Sequence, residues 1–170
     1  SARYRSIVLA SALLHDAYDN KYVKEKDMGK IIKKIEKDLT SIGFKEKDCL
    51  LIFKIIENIS FGKEKKLRLK GKKIILGSLQ KYRNIVSDAD KIEAIGRDAV
   101  SRMIHYLCYK MPKATIEDHI KHIRDHCDEK LYVLIKKRFI RTKYGRSIAS
   151  KRLKKLRDVV DNDNILKRHI

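Results

Sequence analysis

An all-α fold is predicted for this chain by three observations. Proline occurs once, at Pro112, and glycine seven times in 170 residues, so the residues that punctuate strand-and-turn proteins are scarce. Long stretches are built from Lys, Ile, Leu, Glu and Arg, which suit helices. Apolar residues recur at spacings of three and four rather than two. A chain of this length buries one substantial core, so a single domain over residues 1–170 is expected, a bundle of five to seven helices.

The elements follow in order. Ala2 to Leu14 reads as a buried helix, and the segment 17–27 as the connection after it. Met28, Ile31, Ile32, Ile35 and Leu39 place one apolar stripe on a helix from Asp27 to Ser41, which Gly43 ends. Lys47 to Ser60 continues the core with Leu50, Leu51, Phe53, Ile55 and Ile56. Gly62 to Lys73 sets two glycines in a run of lysines and predicts a mobile basic loop. After IILGSLQKYRNIV, the step Ser87-Asp88-Ala89-Asp90 opens a long helix carrying Asp90 through Tyr109, which Pro112 terminates. Thr115 is placed to cap the next helix, to about Arg138. A last helix from Gly145 to Val160 has Ile148, Leu153, Leu156 and Val160 on one side and Lys or Arg on the other.

Composition narrows the setting. Cys49, Cys108 and Cys127 are widely spaced and fit a reducing compartment better than a disulfide framework. No apolar run reaches the eighteen or so residues of a membrane span, so a cytoplasmic protein without a membrane partner is expected. A formal net charge of +20 draws a protein toward polyanions, and nucleic acid is one partner class it admits. With lysines spread over every helix, the expectation is a diffuse field coating solvent-facing surfaces rather than a stripe that reads one backbone. A phosphorylated small substrate also profits from such a field.

Two places carry candidate chemistry. The apolar run Ile7 to Leu14 stops at His15-Asp16, and the second acidic step contains Asp88 and Asp90. A neutral imidazole and carboxylates make a mixed nitrogen and oxygen set suited to a divalent ion such as Mn, Fe, Co, Ni or Zn, with Mg reachable through the carboxylates. Composition alone supplies about 0.5 His-Asp pairs in a chain like this one, so the setting decides what the pair means. Asp19, three residues beyond Asp16, is a candidate for orienting the attacking water, or a turn residue beside Asn20.

LASALLHDAYDNKY resembles the His-Asp element of the HD-domain metal-dependent phosphohydrolases, where a small and apolar helix runs into that dipeptide. IVSDADKIEAIGRDAVSR, Ile85 to Arg102, is similar to the later helix of small stand-alone members. TIEDHIKHIRDHCDEKL with TKYGRSIASKR looks like their C-terminal helices. The resemblance spans most of the chain and implies an HD-domain-like all-α fold. It implies metal ligands at His15, Asp16 and Asp90, the last chosen over Asp88 because the family's carboxylate follows Ala and precedes a basic residue, as in Ala89-Asp90-Lys91. It also implies a further His upstream. Only fourteen residues precede His15, none of them His, and the chain begins with Ser, so a preceding segment is expected. Ile59 stands where small relatives carry another His.

The activity implied is hydrolysis of a phosphate ester or anhydride of a nucleotide-like substrate. Lys21, Lys63 and Arg97 are candidates for charge stabilisation on phosphate oxygens, placed only by their position along the chain. The alternative is a catalytically inactive HD-like scaffold that binds nucleic acid or a protein partner through its basic surface. His119, His122 and His126, with Cys127 adjacent, lie on one helical stripe and offer a rival zinc site, though solvent-facing histidines are the simpler account. Tyrosines within LYVLIKKRF and RTKYGR are expected to be half-buried packing rather than stacking platforms.

Overall fold

The computed structural model describes residues 2–18, 23–96 and 98–169, and it is all-α. Among the described residues there are ten α-helical segments, one 3-10 turn, one π turn and no strand. The chain divides into two compact units, Ser1–Ser87 and Asp88–Ile170.

The first unit contains α1 (Ala2–Leu13), α2 (Glu25–Ser41), α3 (Glu46–Ile56), α4 (Phe61–Leu69), a 3-10 turn at Gly77–Leu79 and the first part of α5 (Gln80–Glu93). α1 and α2 both pack on α3, whose Cys49, Ile52, Ile55 and Ile56 meet Ile7, Leu39, Ile59 and Val86 in the core. α1 buries only one stripe: Leu9 and Leu13 are exposed. Arg3 donates to Asp48 and ties α1 to the first turn of α3 (Nε to Oδ1 2.8 Å). Gly43 ends α2 at φ 99°, a backbone angle that side chains with a Cβ rarely adopt.

The basic segment Gly62 to Lys73 is not a loop through its length. Residues 61–69 form α4, and only the remainder is irregular. Ser60 caps the helix by accepting from Lys63 N at 3.4 Å, and Gly71, at φ 66°, ends it. What holds a lysine-rich helix against its own repulsion is Glu64, buried with Arg83 at 2.7 Å and bonded to Arg68 one turn on at 2.7 Å. Arg83 also donates to the Asn58 carbonyl at 2.7 Å. α4 is thereby tied to α5 and to the end of α3.

The second unit holds the end of α5, α6 (Ala99–Lys110), α7 (Ile116–His126), a π turn at Cys127–Leu131, α8 (Tyr132–Lys136), α9 (Lys143–Val160) and α10 (Asp163–Lys167). The long helix expected from Asp90 to Tyr109 is two helices. Asp90 lies in the last turn of α5 rather than opening a new element. At the break the chain tightens, with Ile95 N bonding Ile92 O at 3.1 Å and Gly96 N bonding Glu93 O at 3.0 Å. The same carbonyls also accept from side chains, Ile92 O from Arg152 at 2.9 Å and Glu93 O from Arg102 at 2.7 Å. Thr115 caps α7 as expected, with Asp118 closing a capping box. Packed on α7 and α9 is α10, a short segment not anticipated from the sequence.

Asp88 joins α5 to the start of α9 within this unit. Its buried carboxylate accepts from Arg141 N at 2.8 Å and Thr142 N at 2.6 Å, placing negative charge at the amino end of α9. Gly145 is required there, because a Cβ would come within 2.8 Å of Asp88 Oδ2 and 2.7 Å of Thr142 Oγ1.

The three cysteines report on this packing. Cys108 is exposed, whereas Cys49 and Cys127 are fully buried, and burial pushes the Cys127 thiol up to about 12. A thiol reagent at neutral pH is therefore expected to label one cysteine per folded chain quickly and the other two only after denaturant. Rapid labelling of Cys49 or Cys127, mapped by mass spectrometry, would contradict the packing described.

Candidate metal centre

His15 and Asp16 lie just past the end of α1, in the turn where Leu14 N still bonds Ala10 O (3.0 Å) and Ala17 N bonds Leu14 O (3.0 Å). Leaving the helix lets two neighbouring side chains converge, which the 100° step of continued helix would oppose. His15 Nε2 stands 3.1 Å from Asp16 Oδ2, with the two side chains 29% and 60% exposed. On its other edge, His15 Nδ1 lies 2.8 Å from the Ala12 carbonyl oxygen.

A carbonyl only accepts, so Nδ1 carries a hydrogen. With a second hydrogen on Nε2 the pair is an imidazolium–carboxylate ion pair at ordinary hydrogen-bond distance, and without it Nε2 offers its lone pair beside the carboxylate. The separation fits a shared ion: ligand atoms with metal bonds of about 2.1 Å lie about 3.0 Å apart at a right angle and about 3.4 Å apart at the tetrahedral angle. A ligating His commonly donates its other ring hydrogen to a backbone carbonyl. A spacing of 3.1 Å is thus shared by an ion pair and by two adjacent ligands of one ion. The same Nδ1 contact also caps one of the last carbonyls of α1, a helix-ending role that needs no ligand.

Asp90, the third expected donor, is half-buried in α5 and belongs to the second unit. Its neighbour Asp88 is committed to the amino end of α9. Among the described residues, no group of three or more His, Cys, Asp or Glu is placed to hold a metal ion. Asp19, Lys21 and Arg97 lie outside the described residues.

Lys63 is exposed in the first turn of α4 and donates from Nζ to the Glu57 carbonyl at 2.7 Å. With Lys66, Leu67 and Lys70 it lines a cavity of about 300 Å³. Glu57 is also the charge that, after burial itself, raises the Tyr18 hydroxyl to about 12. Tyr18 was missed at the sequence level. It packs edge-on against Phe53 in the core, and its buried hydroxyl has no hydrogen-bond partner among the described residues. A lone tyrosine three residues after His15 carries no periodic signal that would have singled it out.

The rival histidine stripe is split by burial. His119 is buried beside the Met111 carbonyl, with Nε2 3.4 Å away, while His122 and His126 are exposed. Solvent-facing positions thus describe two of the three. Ile59, in place of a family histidine, is a core residue whose carbonyl accepts from Ser87 Oγ at 3.2 Å. No protein-family model, curated protein or solved structure matches the chain.

Proposed function

We propose that the protein is a metal-dependent phosphohydrolase of the HD type, acting on a phosphate ester or anhydride of a nucleotide-like substrate. The observation carrying this reading is the His15–Asp16 pair, whose Nε2 and Oδ2 stand 3.1 Å apart, a spacing that two ligands of one divalent ion also have. Asp90 contributes the further carboxylate that the family resemblance implies, a role supported by the commitment of Asp88 to the backbone of α9. When bound, a divalent ion supplies Lewis-acid polarisation of the phosphoryl group and lowers the pKa of water.

The remaining roles fall to the chain's own side chains. Asp19 orients the attacking water. Lys63 spends one of its three N–H donors on the Glu57 carbonyl and keeps two for phosphate oxygens. Lys21 and Arg97 offer positive charge to the same oxygens. The test is phosphate release from a panel of nucleotides by chelator-treated protein, with Mn, Fe, Co, Ni, Zn or Mg added back. Release is expected with at least one of these ions and is expected to vanish in the His15→Ala protein. Wild-type protein that neither binds a divalent ion nor hydrolyses any member of the panel would overturn the reading.

A further inference from the structure

The second unit gathers its positive charge in one segment. Between Lys130 and Arg157 stand twelve Lys and Arg and no Asp or Glu, a run that includes α8 and most of α9. The even spread of lysines expected above does not hold here. α9 buries Gly145, Ala149, Leu153, Leu156 and Val160 along one side. At 100° per residue, its opposite side presents Lys143, Tyr144, Ser147, Lys151, Lys154, Lys155 and, in the last turn, Asp158, all exposed. From Lys143 to Lys155 this face is about 18 Å long at 1.5 Å per residue.

Tyr144 departs most from expectation. Rather than packing, its ring is 78% exposed among lysines, whereas Tyr132, expected to pack in the same way, is half-buried under the Arg157 guanidinium at 4.5 Å. α6, which packs on α9, carries two more exposed rings, Tyr106 and Tyr109.

We propose that the outer face of α9 binds single-stranded nucleic acid, the lysines meeting successive phosphates and Tyr144 stacking on a base. Lysines along a groove or face neutralise a phosphate backbone, and an exposed aromatic ring offers any base a π surface. Contacts made by lysines to phosphates and by a ring to a base face carry no base-edge readout, so binding through them is tolerant of sequence. An anionic membrane fits the face poorly. An interfacial helix needs an exposed apolar side, and the apolar residues of α9 face into their own unit. The buried Asp88 cap holds the first turn, and with it Lys143 and Tyr144, in place.

The experiment is fluorescence anisotropy of a labelled oligothymidylate with the full chain, without added metal, from 50 to 200 mM salt. Four phosphate contacts predict a log–log slope of about −3, or about a 50-fold loss of affinity over that range. Reversing Lys151, Lys154 and Lys155 to Glu is expected to weaken binding at least tenfold. Reversing the exposed Lys33, Lys34 and Lys37 of α2, which changes net charge equally, is expected to leave most of it. Tyr144→Ala should weaken binding about fivefold or more and Tyr144→Phe should restore it, since stacking needs the ring alone. Equal losses from α9 and α2 would overturn the proposal in favour of a diffuse field. So would binding to phosphatidylserine vesicles with none to the oligonucleotide.

Discussion

The Asp90→Ala protein is expected to keep its helical signal and most of its stability while losing metal binding and phosphate release together. Ala is the strongest helix former, and Asp90 sits half-buried in the last turn of α5, so the substitution removes a carboxylate and little packing. Asp88→Ala is expected to do the reverse. Its carboxylate accepts from two backbone N–H groups at the start of α9, and deleting it strips that helix of its anionic cap. Each charge-assisted bond contributes about 1.5–3 kcal/mol, discounted here because Arg141 is exposed and water can replace part of the loss; about 1–4 kcal/mol in all is expected. Urea denaturation followed by circular dichroism measures one side of the contrast, and calorimetric metal titration with a phosphate assay the other. An Asp90→Ala protein with wild-type metal affinity and turnover would remove Asp90 from the site, and an Asp88→Ala protein of unchanged stability would remove the capping argument.

The second large effect is at Glu64. Glu64→Ala is expected to destabilise the first unit by about 3–5 kcal/mol, because Arg83, 1% exposed, would keep a buried charge without its carboxylate. For a chain of this size that is a fall in Tm of roughly 6–20 °C. Pairing it with Arg83→Met should recover most of the loss, since a buried ion pair can be exchanged for apolar packing at little net cost. The helix should respond locally as well: α4 has Lys63, Lys65, Lys66 and Arg68 within two turns, and without Glu64 nothing inside it offsets their repulsion. Amide exchange over 61–69 measures this. If the single variant melts within a degree or two of wild type, the pair does not hold α4.

These two carboxylates also mark where sequence reading stops. Met28, Ile31, Ile32, Ile35 and Leu39 announce α2 by spacing, Gly43 and Pro112 announce ends, and Thr115 announces a cap, because each signal lies within a few residues of the element it specifies. α4 has local signals in Ser60 and Gly71, but its density of lysines reads as a loop because Arg83, which pairs its one acid in the interior, is nineteen residues away. The end of α5 was equally hidden. The last carbonyls of α5 accept from Arg102 and from Arg152, the latter sixty residues from Ile92, and an unbroken helical period gave no sign of either.

At the candidate site the same division holds. The all-α class, the donor types at His15, Asp16 and Asp90, and a charge of +20 are properties of the sequence by itself, because helical period and titratable inventory need no knowledge of distant neighbours. Tertiary structure decided that His15 and Asp16 meet atom to atom past the end of α1, that Asp88 serves α9, and that Tyr144 faces solvent while Tyr132 packs under Arg157. Burial and pairing of a polar group depend on which remote segment arrives beside it. Two identical residue types a dozen positions apart therefore end in opposite environments, with no local pattern to tell them apart.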